Sequence, residues 1–186
     1  MFIPDFFKFN SLISVPLFAI IYLLLIKKIP ELSFHKYTVS KSINFLNNPL
    51  QTIIFRLNFI VKALLDFGFA LFLIQYFSIS FGSLISLTLI FSAILFGSLA
   101  YFTEGKYTVI HHLIIYSSGV LWAIGQISAA RLVGDWAFIL FTCFAVLVPV
   151  IIGFSFLFAK KTTVYVQATC ISIWYLWLTI FVFRYL

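Results

Sequence analysis

Ile53–Phe77 reads IIFRLNFIVKALLDFGFALFLIQYF, apolar at almost every position but carrying Arg56, Asn58, Lys62 and Asp66. A bilayer core about 30 Å thick takes roughly 20 apolar residues to cross as a helix, and this run exceeds that. Five further runs repeat the pattern: Phe9–Ile26, Phe81–Phe102, Val109–Ala130, Trp136–Ala159 and Thr163–Tyr185. With 63% hydrophobic and 9% charged residues in 186, no room remains for a soluble domain. The expected fold is therefore all-α, a single polytopic integral membrane domain over residues 1–186, folded as an antiparallel bundle of six transmembrane helices. The first run ends at Lys27-Lys28 without a small-residue cleavage site, so it reads as a retained span rather than a signal peptide.

A formal net charge of +7 would point to nucleic acid in a soluble protein. Here the cations gather at span ends, where they orient helices and meet anionic lipid headgroups, so membrane lipids are the expected partners and nucleic acid is not. Lys27, Lys28, Lys36, Lys41, Lys106, Lys160 and Lys161 fall in odd-numbered loops, against Lys8, Arg131 and Arg184 on the other side. That bias predicts a multi-pass protein of the cell membrane with the odd loops cytoplasmic and both termini outside. The one substantial loop, Lys27–Thr52, carries Pro30, His35 and Asn47-Asn48-Pro49, with a pattern suited to a short interfacial helix or an ordered loop. Cys143 and Cys170 fall at different depths of their spans, too far apart for a disulfide.

The polar residues inside the spans define a candidate site. Asn58, Lys62 and Asp66 recur at intervals of four and share one helical face, where the two ions are expected to pair and turn away from lipid. In the fourth span His112, Tyr116, Gly119, Ala123 and Gln126 form one seam; His111, Ser118, Trp122, Gly125 and Ala129 form the next. Small residues on both allow close helix approach. Gln167, Cys170, Trp174 and Trp177 make a seam in the sixth span, the tryptophans too deep to be interfacial anchors. Pro149 is expected to kink the fifth span, chiefly for packing.

Spans two, four and six all begin on the face of the long loop, and their polar residues lie mainly in their first halves. A cleft there, bordered by Asn58, Lys62, Asp66, His112, Tyr116 and Gln167 with Trp174 beside the tail, would bind or translocate a small anionic or amphipathic molecule, lipid included. Two other classes stay open. A membrane-embedded lipid-modifying enzyme would use a histidine or Asp66 as acid or base, yet paired carboxylates, His-x-x-x-His and Gly-x-Ser-x-Gly are all missing from the sequence. An interaction or assembly protein would use the small-residue seams. No cofactor or metal is called for: adjacent His111 and His112 point about 100° apart, and spans two, five and six supply no histidine to face them across a haem.

Tyr37-Thr38 with Ser40 and Ser42, Asn47-Asn48-Pro49 leading into Phe55-Arg56-Leu57-Asn58, Gly97 to Phe102, and Glu104-Gly105 before His111-His112 cover about the first two-thirds of the chain. In these motifs the sequence resembles the six-span prokaryotic membrane proteins grouped as the domain of unknown function nine-hundred-ninety-eight family. The resemblance implies six helices and no established activity.

Overall fold

A computed structural model describes residues 3–27, 29, 33–158 and 163–186. Lys28, Pro30, Lys160 and Lys161, and the expected end of the fifth span at Ala159, lie outside the described residues. Every regular element among those described is helical: a 3₁₀ turn Asp5–Phe9, α1 (Asn10–Ile26), a second 3₁₀ turn Ser40–Phe45, α2 (Pro49–Tyr76), α3 (Leu84–Ser98), α4 (Thr108–Val133), α5 (Trp136–Phe158) and α6 (Val164–Tyr185).

Local chemistry sets most helix ends. Asn48 caps α2 by accepting the Leu50 N–H at 2.8 Å, with Pro49 in the first helical position, where its missing N–H costs nothing. The long loop therefore ends at Asn48, and α2 starts four residues ahead of the Ile53 expected from hydropathy. Ser83 caps α3 by accepting from Ser86 at 3.2 Å, and Asp135 caps α5 by accepting from Ala137 at 2.9 Å. Gly134, at φ +76°, closes α4 in a left-handed conformation that an L side chain resists. Pro149 sits inside α5, which nevertheless runs on to Phe158.

Five helical segments are long and apolar enough to cross a membrane: Asp5–Ile26, Pro49–Tyr76, Thr108–Val133, Trp136–Gly153 and Val164–Tyr185. The third expected span, Phe81–Phe102, contains a helix of only 15 residues, Leu84–Ser98. At 1.5 Å per residue it is about 22 Å long, short of the roughly 30 Å core. Large apolar side chains point outward on every helix, among them Leu24, Leu64, Leu84, Leu113, Phe144 and Phe183, each more than 60% exposed. Such a surface is untenable in water but costs nothing against lipid tails.

Consecutive helices pack against one another and α6 returns to α1, closing a ring. One end of the bundle is held by Gln75, which brackets Ile3 with two hydrogen bonds, by Tyr76 donating to the Tyr185 carbonyl, and by Asp135, which accepts from Tyr185 at 2.6 Å and pairs with Arg184. The other end is covered by the long loop. Thr38 donates to Glu104, Asn44 donates to the Glu104 carbonyl at 3.1 Å, and Val164 donates to the Tyr37 carbonyl at 2.8 Å. Lys41 and Lys106 thus share one end of the bundle, while Lys8, Arg131 and Arg184 lie toward the other.

Two apolar cores follow from this arrangement. Phe69, Ala70, Leu73, Ala130, Phe138, Trp177 and Phe181 pack toward the end with the termini. Tyr22, Ile26, Ile43, Phe55, Phe59, Leu99 and Ile114 pack beneath the loop.

Candidate functional site

On α2 the spacing of four does bring Lys62 and Asp66 together as an ion pair, with side chains 17% and 12% exposed. The pair is embedded in protein. Asp66 Oδ1 accepts from Ser11 Oγ at 2.8 Å and Ser14 Oγ at 2.7 Å, while Oδ2 takes the Lys62 ammonium, so both carboxylate oxygens are engaged. The ammonium also lies 4.5 Å from the centre of the Phe96 ring, a cation–π contact strengthened by desolvation. Phe18, Phe59 and Phe96, from α1, α2 and α3, meet ring to ring beside the pair. Asn58, one turn earlier, donates to the Phe18 carbonyl at 2.9 Å. The polar face of α2 is thus matched to α1 and α3.

Gln167 serves the loop: its Oε1 accepts the Val39 N–H at 2.8 Å. Beneath it Tyr22 and Ser42 share a hydroxyl hydrogen bond of 2.9 Å. Among the described residues, the loop at this face is thus hydrogen-bonded to the helices beneath it.

The two seams of α4 have different fates. Ser118 and Ser92 exchange hydroxyl-to-carbonyl bonds of 3.0 Å in both directions, and a Cβ at Gly125 would fall 2.5 Å from Leu89 Cδ2. That seam is close packing against α3. His111 belongs to it: buried at 1% exposure, its Nδ1 lies 2.6 Å from the Phe102 carbonyl. A carbonyl only accepts, so Nδ1 carries the proton and Nε2 the lone pair, and Nε2 is buried without a partner. His112 lies on the next face with its ring 5.8 Å from that of His111 and 6.2 Å from Tyr116. Among the described residues no three His, Cys, Asp or Glu side chains converge as metal ligands would.

On the second seam, Gly119 lies toward α6. A Cβ at Gly119 would meet the far edge of the Trp174 indole at 3.9 Å. Trp174 Nε1 is buried with no acceptor, whereas Trp177, one turn on, donates to Thr142 at 2.8 Å. Gln126, seven residues beyond Gly119, is 2% exposed with both amide atoms unpartnered.

The seven residues expected to border one cleft thus make contacts in different places: Asn58, Lys62 and Asp66 toward α1 and α3, Gln167 toward the loop, His112 and Tyr116 on α4, and Trp174 between α6 and α4. Ser11 and Ser14 had no place in the expected site, though their spacing of three hints at a shared polar face. Glu104 stood only in a motif, and Gln126 only in a packing seam. A shallow groove of about 460 Å³, lined by Tyr165, Ala168, Thr169, Ser172, Ile173 and Leu176, lies on the opposite side of α6 from Trp174. Cys143 and Cys170 are both free. The chain matches no protein-family model, no curated protein and no solved structure.

Proposed function

We propose that this is a six-crossing protein of the cell membrane that binds a small anionic or amphipathic molecule between its helices, entering from the side of the long loop. For the sixth crossing, the support is the hydrogen bonding of α3, which continues beyond Ser98: the N–H groups of Leu99, Ala100, Tyr101 and Phe102 each bond three or four residues back. Counted to Phe102, that helix and its tighter last turn reach about 30 Å. The lysines of the loop end support a cytoplasmic side there and termini outside. Kinship with the six-span family named above is part of the same proposal and rests on the loop and span-two motifs.

The observation that carries the binding reading is the Trp174 indole N–H, buried with no acceptor on a ring whose far edge reaches Gly119 of α4. Buried polar groups are almost always satisfied, so a donor left open beside a small-residue seam marks a place where something else supplies the acceptor. Trp174 donates to the head of the molecule, the apolar surfaces of α4 and α6 hold its tail, and His112 lies toward the loop end of the same seam. The test is native mass spectrometry after purification from a membrane lipid extract. Wild type retains an amphipathic adduct, while Trp174→Phe, which keeps an aromatic ring but loses the donor, and His112→Ala retain less. Equal retention in all three overturns the reading.

A second reading, a lipid-modifying enzyme, draws on His111, whose fixed tautomer leaves Nε2 able to take a proton. Conversion of a bound lipid by wild type and not by His111→Ala would favour it.

A further inference from the structure

Most cations among the described residues are answered by the protein itself. Lys62 pairs with Asp66, Arg184 pairs with Asp135, and Lys8, Lys41 and Lys106 lie over aromatic rings at 5.2, 5.7 and 5.2 Å. Arg131 sits in the last turn of α4, where free carbonyls favour a cation. Arg56 has none of this. No hydrogen bond, ion pair or ring contact to a described residue reaches its guanidinium, although it lies within the span Pro49–Tyr76. A guanidinium stays ionised at any accessible pH, so in a span it needs an anion.

Its direction and depth say what that anion is. Asn58 points at the Phe18 carbonyl of α1, and two residues back along a helix is a rotation of about 200°, which turns Arg56 away from α1 and out of the bundle. There it is exposed, with Ile53, Leu57, Ile60 and Leu64 exposed around it. The 28 residues of α2 make it about 42 Å long, roughly 12 Å more than the hydrocarbon core, and Arg56 stands about 10 Å from its start at the loop end. Its backbone is thus near the edge of the hydrocarbon. Side chains lean toward the amino end of a helix, which carries the guanidinium back to the level of the phosphates. Lys27, Lys36, Lys41 and Lys106 share that end of the molecule with a single described acid, Glu104, whose carboxylate is taken by Thr38.

We propose that Arg56 docks one phospholipid of the loop-side leaflet: its guanidinium fork holds the phosphodiester through two parallel N–H···O bonds, and the acyl chains lie along Leu57, Ile60 and Leu64. This surface is on α2, whereas Trp174 is on α6, so it goes beyond the binding reading above and stands independently of it. The surplus of lysines at the loop end decides the headgroup. Phosphatidylglycerol, whose only charge is the phosphate, is favoured over phosphatidylcholine, whose choline cation meets like charge.

The experiment measures retention of dioleoylphosphatidylglycerol and, separately, of dioleoylphosphatidylcholine in neutral detergent micelles by native mass spectrometry, with melting curves of the lipid-free proteins. Wild type is expected to retain the first over the second, and Arg56→Gln to lose about tenfold in retention of the first, as befits one bidentate charge-assisted pair. Arg56→Lys, which keeps the charge without the fork, should fall between, while Lys36→Gln and Lys106→Gln, whose exposed charges are screened, stay within about twofold of wild type. Lipid-free Arg56→Gln should melt with wild type, since no protein contact is removed. Where it melts lower, Arg56→Lys carries the test, and retention there equal to wild type overturns the pairing. Retention unchanged in Arg56→Gln, or lowered as much in the two lysine variants, overturns the site. A loss in Trp174→Phe that Arg56→Gln does not share does the same, and assigns the lipid to the seam of α4 instead. Equal retention of both lipids by wild type overturns the choice of headgroup.

Discussion

Replacing Asp66 with alanine removes the counter-charge of an ammonium that is 17% exposed and sits against the Phe96 ring. It also strips the acceptor from two serine hydroxyls, Ser11 and Ser14. Breaking one side of a buried pair typically costs about 3–5 kcal/mol, because the surviving charge stays desolvated. With little solvent at either partner, Asp66→Ala is expected within that range. In the double variant Lys62→Met/Asp66→Ala no charge is stranded, and Ser14 keeps an alternative in the Ser11 carbonyl at 3.0 Å. The double variant should therefore be more stable than Asp66→Ala by about 2 kcal/mol, a coupling within the range for groups in direct contact. The assay is equilibrium unfolding of the purified protein in mixed micelles by a denaturing detergent, with wild type, both single variants and the double variant closing the cycle. A double variant as unstable as Asp66→Ala, or more so, would falsify the view that the pair is an internally compensated unit.

Lys41→Cys and Lys106→Cys, both exposed at the loop end, should label with an impermeant maleimide from the same side of sealed vesicles; labelling from opposite sides contradicts the bundle's topology. Gly125→Ala pushes a Cβ to 2.5 Å from the buried Leu89 and should cost about 1–3 kcal/mol, whereas Gly119→Ala meets Trp174 at an ordinary 3.9 Å and should be near neutral in a thermal melt. Asp135 is held below its ordinary value of 3.8, first by the Tyr185 hydroxyl and next by the Phe138 N–H, so its contribution is fully present above that value and is lost as pH falls through the lowered one. Tyr185→Phe should accordingly lessen the drop in melting temperature below about pH 4, and an identical acid profile for the two proteins would refute the link.

Several features were legible without the fold because their causes are local. The apolar run lengths required a membrane, whereas the caps at Asn48-Pro49, Ser83 and Gly134, though local in cause, are not visible to hydropathy, which starts the second span at Ile53. Lys62 and Asp66 meet because residues four apart on a helix are neighbours whatever surrounds them. The extent of α3 was less readable, since hydropathy continues through Phe102 while regular helix stops at Ser98.

Tertiary structure alone decided which helix each polar face meets. Leucine is as comfortable against lipid as against protein, so helices apolar all round give no sequence signal separating their inner side from their outer one. Hence the partners of Asp66 come from Ser11 and Ser14, more than 50 residues earlier, and that of Gln167 from Val39, 128 residues away. The same reason hid the difference between the two seams of α4. Their spacing and small residues are alike, yet one closes on α3 through Ser92 and Leu89, and the other leaves Gln126 and Trp174 unpartnered, because only the packed neighbours settle whether a buried polar group is satisfied.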